Sequence, residues 1–303
     1  LLPAIPVALA LMALFWPWSV QAPGNLFKAL TTFSHFTFQL YTVLDGEVMK
    51  IGDVPRSYLP TYLAVRMPEL TLAGLALALP TAIGSLRRRP GAWRRWLPVV
   101  LAASLPILLA VATRPSLYNG IRHFTFLLPP LAVIAAGGLH AGWQVVRHRR
   151  IRALCFAALC LLGTVAPLAA MARLAPYHYV NYNLLGGGFA GAAAGRWETD
   201  YWSDAVREAT GQLNAYIAPE AHPAEPWQVA VCAESVQAGA WLGPDFIVTR
   251  DWVRADFFIS TTHMGCDEVL RGKVIGQVTR AGTALTVVKD RRAVPPEQRR
   301  PLR

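Results

Sequence analysis

Five long apolar stretches in the first 172 residues constrain the fold more than any other feature of the sequence. They cover residues 1–18, 59–86, 97–113, 124–146 and 153–172. A helix needs about 20 apolar residues to cross the roughly 30 Å of hydrocarbon in a bilayer. Prolines interrupt several stretches, which membrane bundles tolerate because neighbouring helices satisfy the freed backbone groups. The sequence therefore predicts an α-helical multi-pass membrane bundle of about five spans.

Charge is divided unevenly along the chain. Residues 1–172 contain 15 Lys and Arg against 4 Asp and Glu, whereas residues 173–303 contain 14 of each kind. Only 16% of all residues are charged, against about 25% in an average soluble domain. A basic excess confined to the apolar half is typical of a membrane region with basic loops, and it does not fit a nucleic-acid-binding surface. We therefore expect a transmembrane region over 1–172, with membrane lipids and no nucleic acid as partners.

Two arginine clusters predict the orientation of this region. The first follows the second apolar stretch and the second follows the fourth: Arg87, Arg88, Arg89, Arg94 and Arg95, then Arg147, Arg149, Arg150 and Arg152. The positive-inside rule places both loops in the cytoplasm. The segments 19–58 and 114–123, and everything after residue 172, are then expected on the opposite side.

The segment 19–58 is rich in aromatic residues and is too long for a simple connection. Phe27, Leu30, Ser34 and Tyr41 approximate helical spacing. Lys28, Phe33, His35, Phe36 and Phe38 lie among them. We interpret the segment as a helix in the membrane interface, which either shapes a lipid or substrate entrance or has a structural role.

Residues 173–290 predict a small extracytoplasmic α/β domain. Its expected helices cover 201–218 and 234–242, and its expected strands cover 229–232, 246–248 and 257–259. The runs 274–278 and 284–288 are expected to form a hairpin, with Gly282 near the turn. The arginine- and proline-rich tail 291–303 is expected to be disordered.

The cysteines divide between the two regions. Cys155 and Cys160 lie in the fifth apolar stretch and are expected to be inert small apolar residues. Cys232 and Cys266 lie in the domain that we expect outside the cytoplasm, where disulfides persist. A bond between them is one expectation, and two free thiols are the alternative.

Two short motifs in the second half have more than one interpretation. Gly186-Gly187-Gly188 can cradle a phosphate through backbone N–H groups, but it lacks the ending of a P-loop, so a turn or connector is the alternative. Glu198-Thr199-Asp200 could hold a divalent ion, although such triplets are common by chance. No Cys and His spacing matches a zinc site. The sequence thus predicts no metal site and no cofactor, and it leaves a divalent metal as an unsupported possibility.

The loop before the fourth apolar stretch has the strongest chemical signal. It contains Tyr118, Arg122 and His123. A charge at the beginning of a membrane span is costly and is usually functional. Guanidinium groups bind phosphate through two parallel hydrogen bonds, and an adjacent His can add a hydrogen bond. We predict that these three residues contact a lipid phosphate; the alternative is an arginine that extends to the interface and anchors its helix.

The run Tyr118 to Pro130, Y-N-G-I-R-H-F-T-F-L-L-P-P, resembles a motif of bacterial membrane glycosyltransferases of the GT-C type, related to the protein mannosyltransferases and the aminoarabinose transferases (glycosyltransferase family 39-like). Four more segments resemble the same proteins, and the resemblance, from the first of the five segments to the last, spans most of the chain. They are Leu59–Glu69, Pro176–Asn183 with Gly187, Asp200-Tyr201-Trp202, and Ala255–Asp267.

The resemblance implies a sugar transfer from a polyprenyl-phosphate donor to an acceptor hydroxyl of a lipid or protein, on the periplasmic side of the bacterial inner membrane. Members of the family have their catalytic acidic residue in a first extracytoplasmic loop and have more than five spans. No segment here resembles that loop, so the catalytic residue stays unassigned and we expect the chain to be the C-terminal portion of such an enzyme. The run Ser19–Ala22 resembles a signal-peptidase site, which is the alternative interpretation of the first stretch.

Two other functions remain open from the sequence. A membrane scaffold or lipid-linked-sugar binding module without catalysis fits the missing acidic loop. A transporter of lipid-linked sugars fits the interrupted helices, but the large second domain and the absence of an internal repeat count against it.

Overall fold

The computed structural model describes residues 4–34, 39–88, 91 and 93–302. Arg89, His35, Phe36 and Phe38, which contribute to the predictions above, lie outside the described residues. The backbone is described, but the side chain is not, for Leu30, Phe33, Ser34 and 85–88.

The first half is helical. Its α-helices are α1 (Ala4–Phe15), α2 (Trp18–Gln21), α3 (Asn25–Ser34), α4 (Tyr58–Arg66), α5 (Glu69–Arg88), α6 (Trp93–Thr113), α7 (Leu128–Val146) and α8 (Arg150–Leu174). A 3₁₀ segment, Arg122–Leu127, leads directly into α7.

Three helical segments of the described chain are long and apolar enough to cross a membrane: Trp93–Thr113, Arg122–Val146 and Arg150–Leu174. The fourth candidate is the pair α4 and α5, which is bent by 116°. Pro68 lies at the bend and disfavours helical backbone at Met67, whose ψ is 143°. Helix α1 has 12 residues and is about 18 Å long, short of a span. The predicted five spans are therefore confirmed only as three, or four with the bent pair.

Helices α5 and α7 approach each other through small residues. A Cβ atom at Gly138 would lie 2.0 Å from the carbonyl oxygen of Gly74, and one at Gly74 would lie 2.5 Å from that of Ala135. Close approach of backbones at small residues is a common basis of helix association in membranes. The pairing of Gly74 with Ala135, and of Ala78 with Gly138, makes the two helices parallel. The arginine-rich loops that follow both helices thus lie at the same end of the bundle.

The segment 19–58 contains both a helix and a hairpin. Helix α3 agrees with the predicted interfacial helix, and Phe27 is 75% exposed on it. Strands β1 (Tyr41–Leu44) and β2 (Glu47–Lys50) then pair antiparallel across Asp45 and Gly46, which both have positive φ. This Asp-Gly sequence is typical of tight hairpins. Tyr41 therefore belongs to a strand, and its inclusion in the helical pattern was wrong.

The second half contains a five-stranded mixed sheet, as the sequence predicted. Its strands are β3 (Trp227–Cys232), β4 (Phe246–Thr249), β5 (Phe257–Thr261), β6 (Lys273–Arg280) and β7 (Thr283–Asp290). Their order is β4-β3-β5-β7-β6, with β4, β3 and β5 parallel and β7 and β6 forming the predicted hairpin. Helices α9 (Gly188–Gly191), α10 (Val206–Ile217) and α11 (Ser235–Trp241) complete the α/β unit.

Helix α10 begins later than predicted. Residues 201–205 form a turn because Asp200 accepts hydrogen bonds from the backbone N–H groups of Asp204 and Ala205, at 2.9 and 3.0 Å. The interpretation of 201–205 as helix was therefore wrong.

The residues from 291 to 302 also differ from the expected disorder. Arg291 is fully buried and donates hydrogen bonds to the carbonyl oxygens of Trp252, Ala255, Arg271 and Arg299. The backbone N–H of Leu302 donates to Val269 at 2.9 Å. These contacts attach the tail to the sheet; Arg303 lies outside the described residues.

The predicted disulfide between Cys232 and Cys266 is confirmed. It joins the end of β3 to the 3₁₀ segment His263–Glu268. Cys155 and Cys160 are free on α8.

Candidate functional site

Arg122 extends from a strained turn between α6 and α7. Asn119 and Gly120 both have left-handed backbone conformation, with φ of 56° and 66°. The N–H of Gly120 donates to the hydroxyl of Tyr58 at 3.1 Å, and a Cβ at Gly120 would lie 3.0 Å from the Tyr62 ring. Helix α4 therefore supports the turn through Tyr58 and Tyr62, and it determines the position from which the Arg122 side chain extends.

The Arg122 guanidinium lies between two aromatic rings. Its central carbon is 4.2 Å from the ring centre of Trp202 and 5.4 Å from that of Tyr118. Within the described residues it forms no hydrogen bond and no ion pair with a carboxylate. Stacking holds the group by its face and leaves the N–H donors at its edge available for an anion.

A cavity of about 570 Å³ lies beside Arg122. One wall is the last part of α8, including Ala166, Ala170 and Leu174. Other lining residues come from the connector to the α/β domain, including Asn181 and Tyr201. The cavity thus combines apolar side chains of a candidate membrane-spanning helix with polar side chains of the segment that follows it, which is the arrangement that an amphiphilic ligand requires.

Two further arginines line this cavity. Arg66, the last residue of α4, stacks 3.8 Å above the Tyr182 ring and donates to the carbonyl oxygens of Tyr179 and Asn181. Arg173, near the end of α8, is exposed and also lines the cavity. Glu69 is the one carboxylate among the described lining residues, and its Oε1 accepts from the backbone N–H of Leu184 at 2.7 Å.

The three predicted phosphate contacts lie close together but do not all reach the cavity. Arg122 lines it, whereas Tyr118 and His123 are absent from its described lining. The rings of Tyr118 and His123 contact each other edge to face, with 4.9 Å between their centres. His123 and Tyr118 therefore contact each other next to Arg122 and are not part of the described cavity lining.

Sequence reasoning missed Arg66 and Arg173 as site residues. Arg66 lies inside an apolar run, between Val65 and Met67, and a charge in such a run is a functional signal. Arg173 follows the fifth apolar stretch directly and is equally expected as a helix-end anchor. Only the folded chain brings both near Arg122.

The two carboxylates of Glu198-Thr199-Asp200 accept hydrogen bonds from different parts of the chain. Glu198 accepts from the Thr42 hydroxyl and the Val43 N–H, at 2.5 and 3.2 Å. Asp200 accepts from the Tyr179 hydroxyl as well as from its two capping N–H groups. Burial raises the pKa of the Asp200 carboxyl. No group of three or more potential metal ligands occurs among residues 4–34, 39–88, 91 and 93–302.

The glycine run forms a turn. The N–H groups of Gly186, Gly187 and Gly188 donate to the Asn183 side chain, to Leu184 and to the Asn183 carbonyl, at 3.1, 3.0 and 2.9 Å. Gly187 and Gly188 have positive φ. Because these N–H groups are already used inside the turn, the turn interpretation explains the motif better than a phosphate cradle does.

Comparison of the chain with protein families, with curated proteins and with solved structures finds no match.

Proposed function

We propose that this protein is a membrane glycosyltransferase that binds a polyprenyl-phosphate-linked sugar in the cavity beside Arg122. The observation that carries the proposal is the pairing of an apolar wall on α8 with three arginines at its polar end: Arg66, Arg122 and Arg173. The polyprenyl chain would follow α8 toward the hydrocarbon, and the phosphate would lie near Arg122. The motifs that resemble GT-C glycosyltransferases motivate the sugar-transfer chemistry.

Charge supports a phosphate as the recognised group. Three guanidinium groups and one carboxylate, that of Glu69, line the cavity among the described residues. The Arg122 guanidinium has no carboxylate partner within the described chain, and Arg66 uses one of its nitrogens, Nη1, for carbonyl oxygens. Guanidinium forks match phosphate oxygens in two parallel hydrogen bonds, which gives both affinity and orientation.

The reaction that fits this donor is a substitution at the anomeric carbon of the sugar. The acceptor hydroxyl oxygen forms a bond to that carbon, and the bond from the carbon to the phosphate oxygen breaks. The polyprenyl phosphate leaves with the electron pair, and the hydroxyl proton passes to a base. Arg122 would stabilise the charge that develops on the leaving phosphate. We assign no residue as the base.

We further propose that the site lies on the periplasmic side of a bacterial inner membrane. The α/β unit and Arg122 lie together at the end of the bundle opposite the arginine-rich loops. If those loops are cytoplasmic, as their charge indicates, the cavity opens on the other side. The acceptor would then be a lipid or protein of the cell envelope.

Binding of polyprenyl phosphate to the purified protein in lipid nanodiscs tests the proposal. Arg122→Ala removes the proposed phosphate contact. Arg207→Ala is a matched control because Arg207 also stacks on a tryptophan, with 4.0 Å to the Trp241 ring, but lies outside the cavity lining. We expect Arg122→Ala to weaken binding by about tenfold or more, since charge-assisted hydrogen bonds are lost. Equal affinity of wild type and Arg122→Ala would overturn the proposal.

A further inference from the structure

Glu198 is a buried carboxylate that the proposed chemistry does not use. Its side chain is fully buried and no ligand-facing role follows from its position. Burying a charge is costly unless hydrogen bonds or an opposite charge compensate it. Glu198 Oε1 accepts such hydrogen bonds from Thr42 and Val43, and on the other side Nε2 of the His263 ring lies 3.0 Å from Oε2. These partners come from three separate parts of the chain.

One of these partners begins a directed chain of hydrogen bonds. The Thr42 hydroxyl donates to Glu198 Oε1 at 2.5 Å, so its oxygen must accept in its contact with the Tyr58 hydroxyl at 2.7 Å. The Tyr58 hydroxyl therefore donates to Thr42 and is free to accept from the Gly120 N–H at 3.1 Å. The Thr42 hydroxyl has a single proton, which it donates to Glu198, so this contact sets the direction of every donor along the chain.

The chain ends two residues before Arg122. Gly120 has φ of 66°, and the Arg122 N–H donates to Asn119 at 3.4 Å, so the Tyr58 contact lies inside the turn that begins the 3₁₀ segment. Asn119, Ile121 and Arg122 all line the cavity. A turn with two consecutive left-handed residues needs support from its surroundings, because this conformation is unfavourable for Asn119.

The other side of Glu198 belongs to the α/β unit. The His263 ring contacts it from the 3₁₀ segment that the Cys232–Cys266 disulfide holds against β3. The Nδ1 atom of the same ring lies 3.3 Å from the backbone nitrogen of Thr199. Glu198 thus lies between a cross-linked loop of the α/β unit and the Arg122 turn of the membrane half.

We propose that Glu198 is a positioning residue for Arg122, acting through Thr42 and Tyr58. This inference rests on the proposed function, because the position of Arg122 matters for binding only if the cavity binds a phosphate. The hydrogen bonds fix the turn at Gly120, and the turn fixes the direction in which the guanidinium enters the cavity. The α/β unit therefore contributes to the geometry of the phosphate site through Glu198.

The test measures affinity for polyprenyl phosphate in lipid nanodiscs, with the unfolding midpoint of each variant recorded in detergent. Tyr58→Phe and Thr42→Val each break the chain while keeping the shape of the side chain. Tyr216→Phe is the matched control, since the Tyr216 hydroxyl also donates a hydrogen bond, to Asp290 Oδ2 at 3.1 Å, but lies outside the cavity lining and off the path to Gly120. We expect Tyr58→Phe and Thr42→Val to weaken binding about 3- to 10-fold, the effect of one lost hydrogen bond, and Tyr216→Phe to leave affinity unchanged.

Glu198 itself is tested by two substitutions. Glu198→Leu removes the acceptor, whereas Glu198→Gln keeps an oxygen that can accept from Thr42. We expect the Glu198→Gln variant to retain most of the affinity for polyprenyl phosphate that the Glu198→Leu variant loses. In an Arg122→Ala background, Tyr58→Phe should cause no additional loss, because the residue being positioned is absent.

The outcomes separate this inference from the proposed function. If Arg122→Ala weakens binding while Tyr58→Phe and Thr42→Val bind as wild type does, the positioning role is overturned and the proposed function stands. The positioning role is also overturned if Tyr58→Phe weakens binding by the same factor in the Arg122→Ala background as in the wild type. If Arg122→Ala has no effect, the proposed function fails and the positioning role fails with it.

Discussion

The guanidinium of Arg122 stacks on the indole ring of Trp202, with 4.2 Å between the guanidinium carbon and the ring centre. This contact joins the beginning of a candidate membrane-spanning segment to the turn before α10. We predict that Trp202→Leu weakens polyprenyl phosphate binding about 2- to 5-fold, because an exposed cation–π contact contributes about 0.5–1 kcal/mol. Trp241→Leu, which removes the equivalent partner of Arg207, serves as the control in the same nanodisc assay. A larger loss in the control than in Trp202→Leu would contradict the role of this contact.

The close packing of α5 on α7 predicts sensitivity at Gly138. A side chain there would meet the backbone of Gly74 at 2.0 Å and that of Ala78 at 2.6 Å, and backbone atoms cannot move aside without separating the helices. We expect Gly138→Leu to lower stability by about 3 kcal/mol or more, or to prevent folding. Gly84→Leu, on the partner helix α5, is the control, since no neighbouring atom of the described residues lies within 4 Å of its added Cβ. Unfolding midpoints in detergent measure the difference, and equal midpoints for the two variants would disprove this helix contact.

The disulfide predicts a thiol count and a stability effect. Under denaturing, non-reducing conditions we expect two reactive thiols per chain, those of Cys155 and Cys160, and four after reduction. Removal of the bond by Cys232→Ser with Cys266→Ser should lower the free energy of unfolding of the α/β unit by about 2–4 kcal/mol, because the unfolded chain gains freedom. Four thiols before reduction would show that the bond is absent.

An ion pair between Glu208 and Arg280 predicts part of the pH dependence of stability. Arg280 donates to both carboxylate oxygens of Glu208, at 2.7 and 3.4 Å. The hydrogen bond from Arg280 lowers the pKa of Glu208 below its ordinary value. Its contribution to stability is therefore present above the pKa of the unfolded chain, about 4.3, and is lost as the pH falls through the lower folded value.

The measurement compares the wild type with Glu208→Gln between pH 7 and pH 3. We expect the stability advantage of the wild type to shrink below about pH 4.5 and to be constant above it. The side chain is 40% exposed, so solvent screening keeps the effect small. A stability difference between wild type and Glu208→Gln that stays constant from pH 7 to pH 3 would contradict the linkage.

Tyr177 donates a hydrogen bond to the same carboxylate. Burial, followed by the charge of Glu208, raises the pKa of Tyr177 to about 12.

Local sequence patterns predicted the α/β unit well. The strands around Val229, Phe257 and Leu285 and the hairpin at Gly282 follow from short-range signals, whereas the sequence left the pairing of Cys232 with Cys266 open against two free thiols. These signals are reliable because strand alternation, turn residues and cysteine context each depend on a few neighbouring positions. The start of α10 was missed because it depends on how the Asp200 side chain caps the turn after it.

The number of candidate membrane spans could not be predicted from hydropathy alone. Hydropathy identified the apolar stretches, but α4 and α5 bend by 116° at Pro68, and the described part of α1 has only 12 residues. Composition measures how apolar a segment is, whereas the path of the backbone depends on its packing against the rest of the chain. The tail after Arg291 is a similar case, because a buried guanidinium bonded to four carbonyl oxygens orders a segment with disordered-type composition.

The sequence by itself determined that the chain has an apolar helical half and an α/β half, and it identified Arg122, because these properties follow from local composition and spacing. Only the tertiary structure decided that Arg66 and Arg173 share a cavity with Arg122 and that Thr42 reaches Glu198 across 156 residues. It also decided that His123 and Tyr118 contact each other and are not among the described residues that line the cavity. Contacts between residues so far apart depend on how helices and sheet pack together, and no local periodicity records that packing.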